Sequence, residues 1–172
     1  MTRPAFLIAL LSLGTVPISA AAELAPFTPE RMWQLQRIGA PDVSPDGRFA
    51  VAAVSRFDMA ENKAYSNIWQ WDTATGAARQ LTSRNVSDGS PLVSPDGRRM
   101  AFVSQREGDT APQIYLLPLD GGEPQRLTSV ATGVAQPKWF PDGTRIAFLS
   151  RVWADLDTSA KQAERLKERT DA

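Results

Sequence analysis

Three copies of one turn constrain the fold of this chain more than any other feature. They read Ser44-Pro45-Asp46-Gly47, Ser94-Pro95-Asp96-Gly97 and Phe140-Pro141-Asp142-Gly143. The turn prolines lie 50 and then 46 residues apart. Each turn is followed by a short apolar run ending in serine: Phe49 to Ser55, Met100 to Ser104 and Ile146 to Ser150. A further proline precedes each turn, at Pro41, Pro91 and Pro137. A period of this length, with several short strands in each copy, is the pattern of a β-propeller, in which a four-stranded blade repeats about an axis.

The residue types suit the turn position by position. Serine first, proline second and glycine fourth match a type I turn. Proline presets φ, and aspartate bonds nearby backbone amides. Glycine takes the left-handed conformation that lets such a turn close a hairpin with a bulge. Asp46, Asp96 and Asp142 are therefore turn residues. The competing reading, calcium ligands or catalytic carboxylates, needs oxygens gathered at one point, and one aspartate per blade does not gather them.

Read in order, the first repeat covers residues 41–82. It predicts strands at Asp42-Val43, Phe49 to Ser55, Asn67 to Trp71 and Arg79 to Thr82, with a polar loop through Asp58, Glu61, Asn62 and Lys63. The second covers 91–128, with strands at Leu92-Val93, Arg99 to Ser104, Gln113 to Leu117 and Gln125 to Thr128. The closing pairs Leu81-Thr82 and Leu127-Thr128 are 46 residues apart, in step with the turns. The third begins at 137 and the pattern stops at 150. The middle strands are apolar on both faces, as blades stacked face to face require. Trp69, Trp71 and Trp139 read as blade-packing residues; the alternative is ligand stacking. The expectation is an all-β partial propeller of four-stranded antiparallel blades, with a short N-terminal helix and a C-terminal helical tail.

The lead-in, residues 23–40, is expected to be helical. Thr28 can cap it, Pro29 suits the first helical position, Met32, Leu35 and Ile38 share a face, and Gly39 is the stop. The tail, residues 151–172, predicts a charged helix from Ser159 to Thr170. Ser159 and Gln162 have capping-box spacing, and Leu156, Ala160, Ala163 and Leu166 give a thin apolar stripe. The tail reads as a solvated linker helix, with partner binding as its alternative. No place is assigned to Trp153.

Residues 1–22 read as an export signal. Arg3 is followed by apolar Ala5 to Val16, the Pro17 break and small residues at Ile18-Ser19-Ala20-Ala21-Ala22. The apolar run is too short for a comfortable membrane anchor. The expected destination is the periplasm or the exterior, with no membrane segment after cleavage.

Composition removes whole classes of chemistry. The 172 residues hold 19 basic and 19 acidic side chains, so no nucleic-acid partner is expected. There is no cysteine and no histidine. Without imidazole a Ser-His-Asp triad cannot be assembled, and no G-x-S-x-G elbow occurs. Zinc loses its usual ligands. Asp120-Gly121-Gly122 is a hairpin turn, and no phosphate loop follows a strand. No catalytic, cofactor-binding or metal-binding residue is assigned.

The stretch from Phe27-Thr28-Pro29-Glu30 through Ile38 into Val43-Ser44-Pro45-Asp46-Gly47-Arg48 resembles the start of secreted prolyl oligopeptidase family serine peptidases, in their acylaminoacyl-peptidase and dipeptidyl-peptidase-like branch. Asn67-Ile68-Trp69, Gln80-Leu81-Thr82 and Ser150-Arg151-Val152-Trp153 fit the same pattern. The resemblance implies a propeller that restricts entry to small peptides, above an α/β-hydrolase domain that carries the serine, aspartate and histidine. It implies peptide substrates handled by such a parent enzyme, and it carries no catalytic role onto any residue here. The alternative is a TolB-like periplasmic propeller that binds proteins. Two full blades and the start of a third predict a fragment or truncated product. They also predict a bare apolar blade face open to a protein partner or to self-association.

Overall fold

The computed structural model describes residues 26–83 and 85–171. The expected export signal and the start of the lead-in lie outside the described residues. Helix α1 (Pro29–Gln34) is followed by strands β1 (Arg37–Ile38), β2 (Asp42–Val43), β3 (Phe49–Asp58), β4 (Lys63–Asp72) and β5 (Ala78–Gln80), which form the first sheet. Strands β6 (Gly89–Val93), β7 (Arg99–Ser104), β8 (Gln113–Pro118) and β9 (Gln125–Arg126) form the second as a simple antiparallel meander. Strands β10 (Ala135–Trp139) and β11 (Ile146–Leu149) form the third, and helix α2 (Ser159–Asp171) ends the described chain. This is the partial propeller that the repeat predicts.

The turns form as their residues dictate. The glycine N–H of each closes on the first residue's carbonyl, Gly47 to Ser44 and Gly97 to Ser94 at 2.8 Å, and Gly143 to Phe140 at 2.9 Å. All three glycines hold φ between 66° and 71°, which a Cβ would strain. The proline before the turn in blades two and three follows a residue at φ 49°, Ser90 and Gln136. There the ladder slips, between Gly89 and Leu92 and between Ala135 and Lys138. Proline at a bulge on an edge strand wastes no ladder hydrogen bond.

Each sheet is apolar on both faces because successive residues point to opposite sides. Along β7, Met100 and Phe102 face the first sheet. They pack with Val51, Ile68, Val93, Tyr115 and Leu117, while Phe49, Leu81 and Leu119 close the edge. Ala101 and Val103 face the third sheet, among Ile114, Leu116, Val130, Val134, Trp139 and Ile146. The closing pairs reveal what Leu-Thr does. Leu81 N–H donates to Ile68 O at 2.8 Å, while Thr82 Oγ1 accepts from Ile68 N at 2.9 Å. Leu127 and Thr128 repeat both bonds on Ile114 at the same distances.

Polar bonds tie one blade to the next. Val93 N–H donates to Asp42 Oδ2 at 2.7 Å, and Trp139 Nε1 donates to Leu92 O at 3.2 Å. The turns also touch. A Cβ added at Gly97 would lie 3.9 Å from Pro45 Cδ, and one at Gly143 would lie 3.7 Å from Pro95 Cδ. Each turn proline thus seats on the glycine of the following turn.

The lead-in departs from expectation. Thr28 caps α1 as predicted, with Arg31 N–H at 3.4 Å from its Oγ1. The helix ends at Gln34, because Leu35 turns extended, and it buries none of its residues. A six-residue helix with no buried face is held by little. Arg37 and Ile38 instead pair with Ser55 and Val54, the edge of β3 left free where β2 stops. Gly39 follows β1 and stops no helix; its N–H donates to Ala53 O at 2.8 Å. The expected polar loop is also shorter. Strands β3 and β4 pair out to Asp58 and Lys63, and Asp58 Oδ1 accepts from Ala60 and Glu61 N–H at 2.9 and 3.1 Å.

The tail helix forms over the predicted span with a different cap. Thr158, one residue earlier, accepts from Lys161 N–H at 3.3 Å. Gln162 is buried and clamps the preceding turn instead. Its Oε1 accepts from Trp153 N–H, and its Nε2 donates to Trp153 O and Leu156 O, all at 2.8 Å. That clamp gives Trp153 its place.

Candidate functional site

Three places on the blades gather polar or apolar groups beyond what a sheet needs: the turn edge, the opposite loop end, and a groove between blades two and three.

At the turn edge each aspartate is consumed by its own turn. Asp46 Oδ1 accepts from the Ser44 hydroxyl at 2.7 Å and from Arg48 N–H at 3.1 Å. Asp142 accepts from Thr144 N–H at 3.0 Å and from the Arg145 guanidinium at 2.8 Å. Asp96 follows the same plan with Ser94 and Arg98. The Ser44 hydroxyl, then the Arg48 amide and side chain, hold Asp46 at about 2. The Thr144 amide, then Arg145, hold Asp142 at about 2. Three ionised carboxylates, each saturated locally, do not form a catalytic pair.

These shifts predict an acid dependence. A carboxylate with a depressed folded pKa adds stability above its unfolded value of about 3.9 and loses it as pH falls through the folded value. Thermal unfolding followed from pH 5 to pH 2 should show a declining midpoint between about 4 and 2. The Asp46→Asn/Asp142→Asn variant should decline less steeply over that window. Superimposable curves for variant and parent would remove these aspartates as the cause.

At the loop end, Asp109 is the centre of a network. Tyr115 Oη donates to its Oδ2 at 2.6 Å, Arg106 N–H to the same oxygen at 3.0 Å, and Arg126 Nη1 to Oδ1 at 2.7 Å. The Asp109 side chain is only 1% exposed. Burial pushes its pKa up, but the Tyr115, Arg106 and Arg126 bonds outweigh that and bring it below the usual value. Burial, then the bond to Asp109, drives the Tyr115 phenol up to about 12. The Arg106 guanidinium lies 4.6 Å from the Tyr115 ring centroid. An ionised aspartate against a locked phenol holds the 105–112 loop onto β8 and β9 and transfers no proton near neutrality.

The other tyrosine, Tyr65, is also raised, first by its hydrogen bond to Glu61 and then by burial. The sequence holds two tyrosines, so an ultraviolet titration of the native chain should lack a phenolate step at about 10. A raised pKa stabilises the fold below the unfolded value and is lost as pH rises through the folded one. Ionisation of Tyr115 near 12 should therefore coincide with unfolding. A clean phenolate step at about 10 in folded protein would contradict the network.

Close to that end lies an anomaly. Asp88 is 0% exposed, and among the described residues neither carboxylate oxygen has a hydrogen-bond partner. Ser104, 1% exposed, is likewise unpartnered at Oγ. Gly89 pairs with Val103, so Asp88 stands opposite Ser104 one step along the ladder.

The groove has a volume of about 510 Å3. Leu116, Leu127, Ile146 and Phe148 form its apolar walls, with Trp139 and Arg99 at the turn end. Arg99 holds that end closed: its guanidinium sits 5.5 Å from the Trp139 ring centroid and donates to Gly143 O at 3.2 Å. Trp139 packs between blades, as expected. The Asp109 network, the Asp88–Ser104 pair and the groove went unread in the sequence, since each forms only when strands distant along the chain meet.

The sequence pattern of the TolB beta propeller domain matches residues 34–170. The chain is 41% identical over 93 residues to the uncharacterized peptidase YuxL of Bacillus subtilis, a match covering 54% of this chain and 14% of YuxL. It is 34% identical over 82 residues to dipeptidyl-peptidase 5 of Porphyromonas gingivalis, covering 48% of this chain and 12% of that protein. A putative TolB from Agrobacterium tumefaciens superposes with a TM-score of 0.56 at 28% identity, over 72% of this chain and 41% of that one. The acylaminoacyl peptidase of Pyrococcus horikoshii superposes with a TM-score of 0.57 over 71% of this chain and 19% of its own, at 18% identity, a likeness of fold alone. The chain thus spans a small fraction of the peptidases it resembles, in each case a propeller-sized part. It belongs to the TolB β-propeller domain family, and its blades are related to those of peptidases.

Proposed function

We propose that these blades act as the non-catalytic, substrate-gating part of an exported serine peptidase, whose hydrolytic residues lie on an α/β-hydrolase domain outside this sequence. The observation that carries the reading is the 41% identity over 93 residues to the uncharacterized peptidase YuxL. The absence of histidine from all 172 residues supports it, because a serine nucleophile here would have no imidazole base. A ring of blades restricts access by the width of its opening, so selection by size needs no reactive group. Export is supported by Arg3, the apolar run from Ala5 to Val16 and the small residues up to Ala22. The destination is the periplasm or the exterior.

The putative TolB match at 28% identity favours a second reading, a periplasmic propeller that binds proteins. One experiment separates the two. An antibody raised against residues 34–150 is used on the native source, and the captured protein is treated with a fluorophosphonate probe for serine hydrolases. The peptidase reading expects a labelled product far larger than the 18.8 kDa of this sequence. A captured protein of any size that takes no label supports the binding module instead.

A further inference from the structure

We propose that Ser90 and Gln136, with Ala40 at the matching station of the first blade, line the axial opening of the propeller. They form a collar that sets the width of peptide admitted through it. The location follows from blade geometry alone; the substrate class rests on the gating reading above.

The axis lies on the side of the first strands. Strand β6 packs against β2 of the blade before it and against β10 of the blade after it. The bond from Val93 to Asp42, and that from Trp139 to Leu92, also join first strands of neighbouring blades. The blades therefore converge at β2, β6 and β10. A radial arrangement leaves the free edge of each first strand facing the central channel.

Each first strand carries the same irregularity on that edge. From Gly89 to Leu92, three steps of β6 meet two steps of β7. From Ala135 to Lys138, three steps of β10 meet two of β11. In the first blade β1 and β2 share the edge, and the four steps from Ile38 to Asp42 meet three from Val54 to Val51. Each blade thus accommodates one extra residue, a bulge of the kind that re-aims a side chain. The stations coincide, since Ala40, Ser90 and Gln136 each stand directly before a proline.

A bulge alone would not select these residues. Ser90 and Gln136 both hold φ at 49°, a left-handed conformation that glycine adopts at no steric cost. A following proline disfavours helical backbone further. Strain repeated at one station in two blades points to a functional site. Pro91 and Pro137 are buried, whereas Ser90 and Gln136 are exposed. Among the described residues neither of those two side chains makes a hydrogen bond. Blade two has a neighbour on each side, so the exposure of Ser90 does not depend on how the ring continues. A hydroxyl and a carboxamide each donate and accept. They match the N–H and C=O of a peptide main chain and ignore its side-chain charge. An extended peptide in the opening is selected by width while Ser90 and Gln136 bond its backbone.

The full-length protein is tested in two ways. The 172 residues hold no cysteine, so Ser90→Cys adds one thiol at the collar. Ala78→Cys adds one on exposed β5, the last strand of its blade. Iodoacetamide should modify both. A maleimide carried on a bulky polymer should modify Ala78→Cys at least about tenfold faster than Ser90→Cys, relative to their iodoacetamide rates. Denaturation should abolish the difference. Peptide hydrolysis is then followed for Ser90→Trp and Ala78→Trp. Ser90→Trp should lower kcat/KM for a long peptide with bulky side chains at least about tenfold and leave a dipeptide anilide unaffected. Ala78→Trp should match the parent on both. Equal polymer labelling at the two positions, or undiminished hydrolysis of the long peptide by Ser90→Trp, would overturn the proposal. A parent that hydrolyses no peptide would remove the peptidase reading, and the labelling would still decide the collar.

Discussion

Replacing Phe102 by alanine is expected to remove about 3–5 kcal/mol of folding stability, the range for emptying an aromatic site in a packed core. Domains of ordinary stability have about 5–15 kcal/mol in total, so this variant should sit at the margin of unfolding. Phe102 is 0% exposed and packs with Val51 and Ile68 of the first blade as well as with Tyr115 of its own. One truncation therefore opens a cavity on the surface that joins two blades. Its counterpart Phe148 is 38% exposed and should lose no more than about 1 kcal/mol on truncation. Denaturant unfolding monitored by tryptophan fluorescence gives both values. Equal losses at the two stations would mean that blades one and two do not pack as described.

The second large effect is a gain. Replacing Asp88 by valine is expected to stabilise the chain by about 1–3 kcal/mol, the desolvation cost of a buried polar group left unpaired. The neighbouring blade supplies the precedent. Asp88 N–H donates to Ser66 O, and 46 residues later Val134 N–H donates to Pro112 O, both at 2.9 Å. Valine at that station is buried among Ala101 and Ile114, so the backbone does not ask for aspartate. The Ser66 hydroxyl bonds the Asp88 carbonyl at 2.7 Å, a bond that the substitution leaves intact. A rise in the thermal midpoint of several degrees is expected. A fall would show that the carboxylate holds something in solution that offsets its burial, and a cation titration of the parent would then identify it.

Both sites show what sequence can and cannot disclose. The three turns were legible because their chemistry is local. Proline fixes one dihedral, glycine frees another, and aspartate reaches an amide two residues on. The Leu-Thr pairs were legible as strand ends, since they recur in step with the turns. Strand β1 was not. Arg37 and Ile38 pair because β3 happens to offer a free stretch of edge some 16 residues later, and a window around Ile38 contains nothing about that edge. Gln162 shows the same limit from the other side. Its spacing from Ser159 spelled a cap, but the helix begins where Thr158 can accept, and the freed amide folds back on Trp153. Asp88, followed by glycine, reads as a turn residue in any one-dimensional view. Only the sheet makes it a buried, unpaired acid.

The seating of Pro45 on Gly97, and of Pro95 on Gly143, bears on how such a chain tolerates change. The first repeat is four residues longer than the second, 50 against 46, and the excess lies in the β3–β4 hairpin, far from the turns. The turn edge acts as a reference plane in which neighbouring blades are indexed against each other. Inserting a residue there would displace a proline from its glycine and tilt every later blade. The loop end carries no such index and can lengthen, shorten or acquire helices such as α1 and α2 while the blades keep their pitch. Diversity in this architecture should accumulate on one rim only, and grafted loops should be accepted there with little loss of stability.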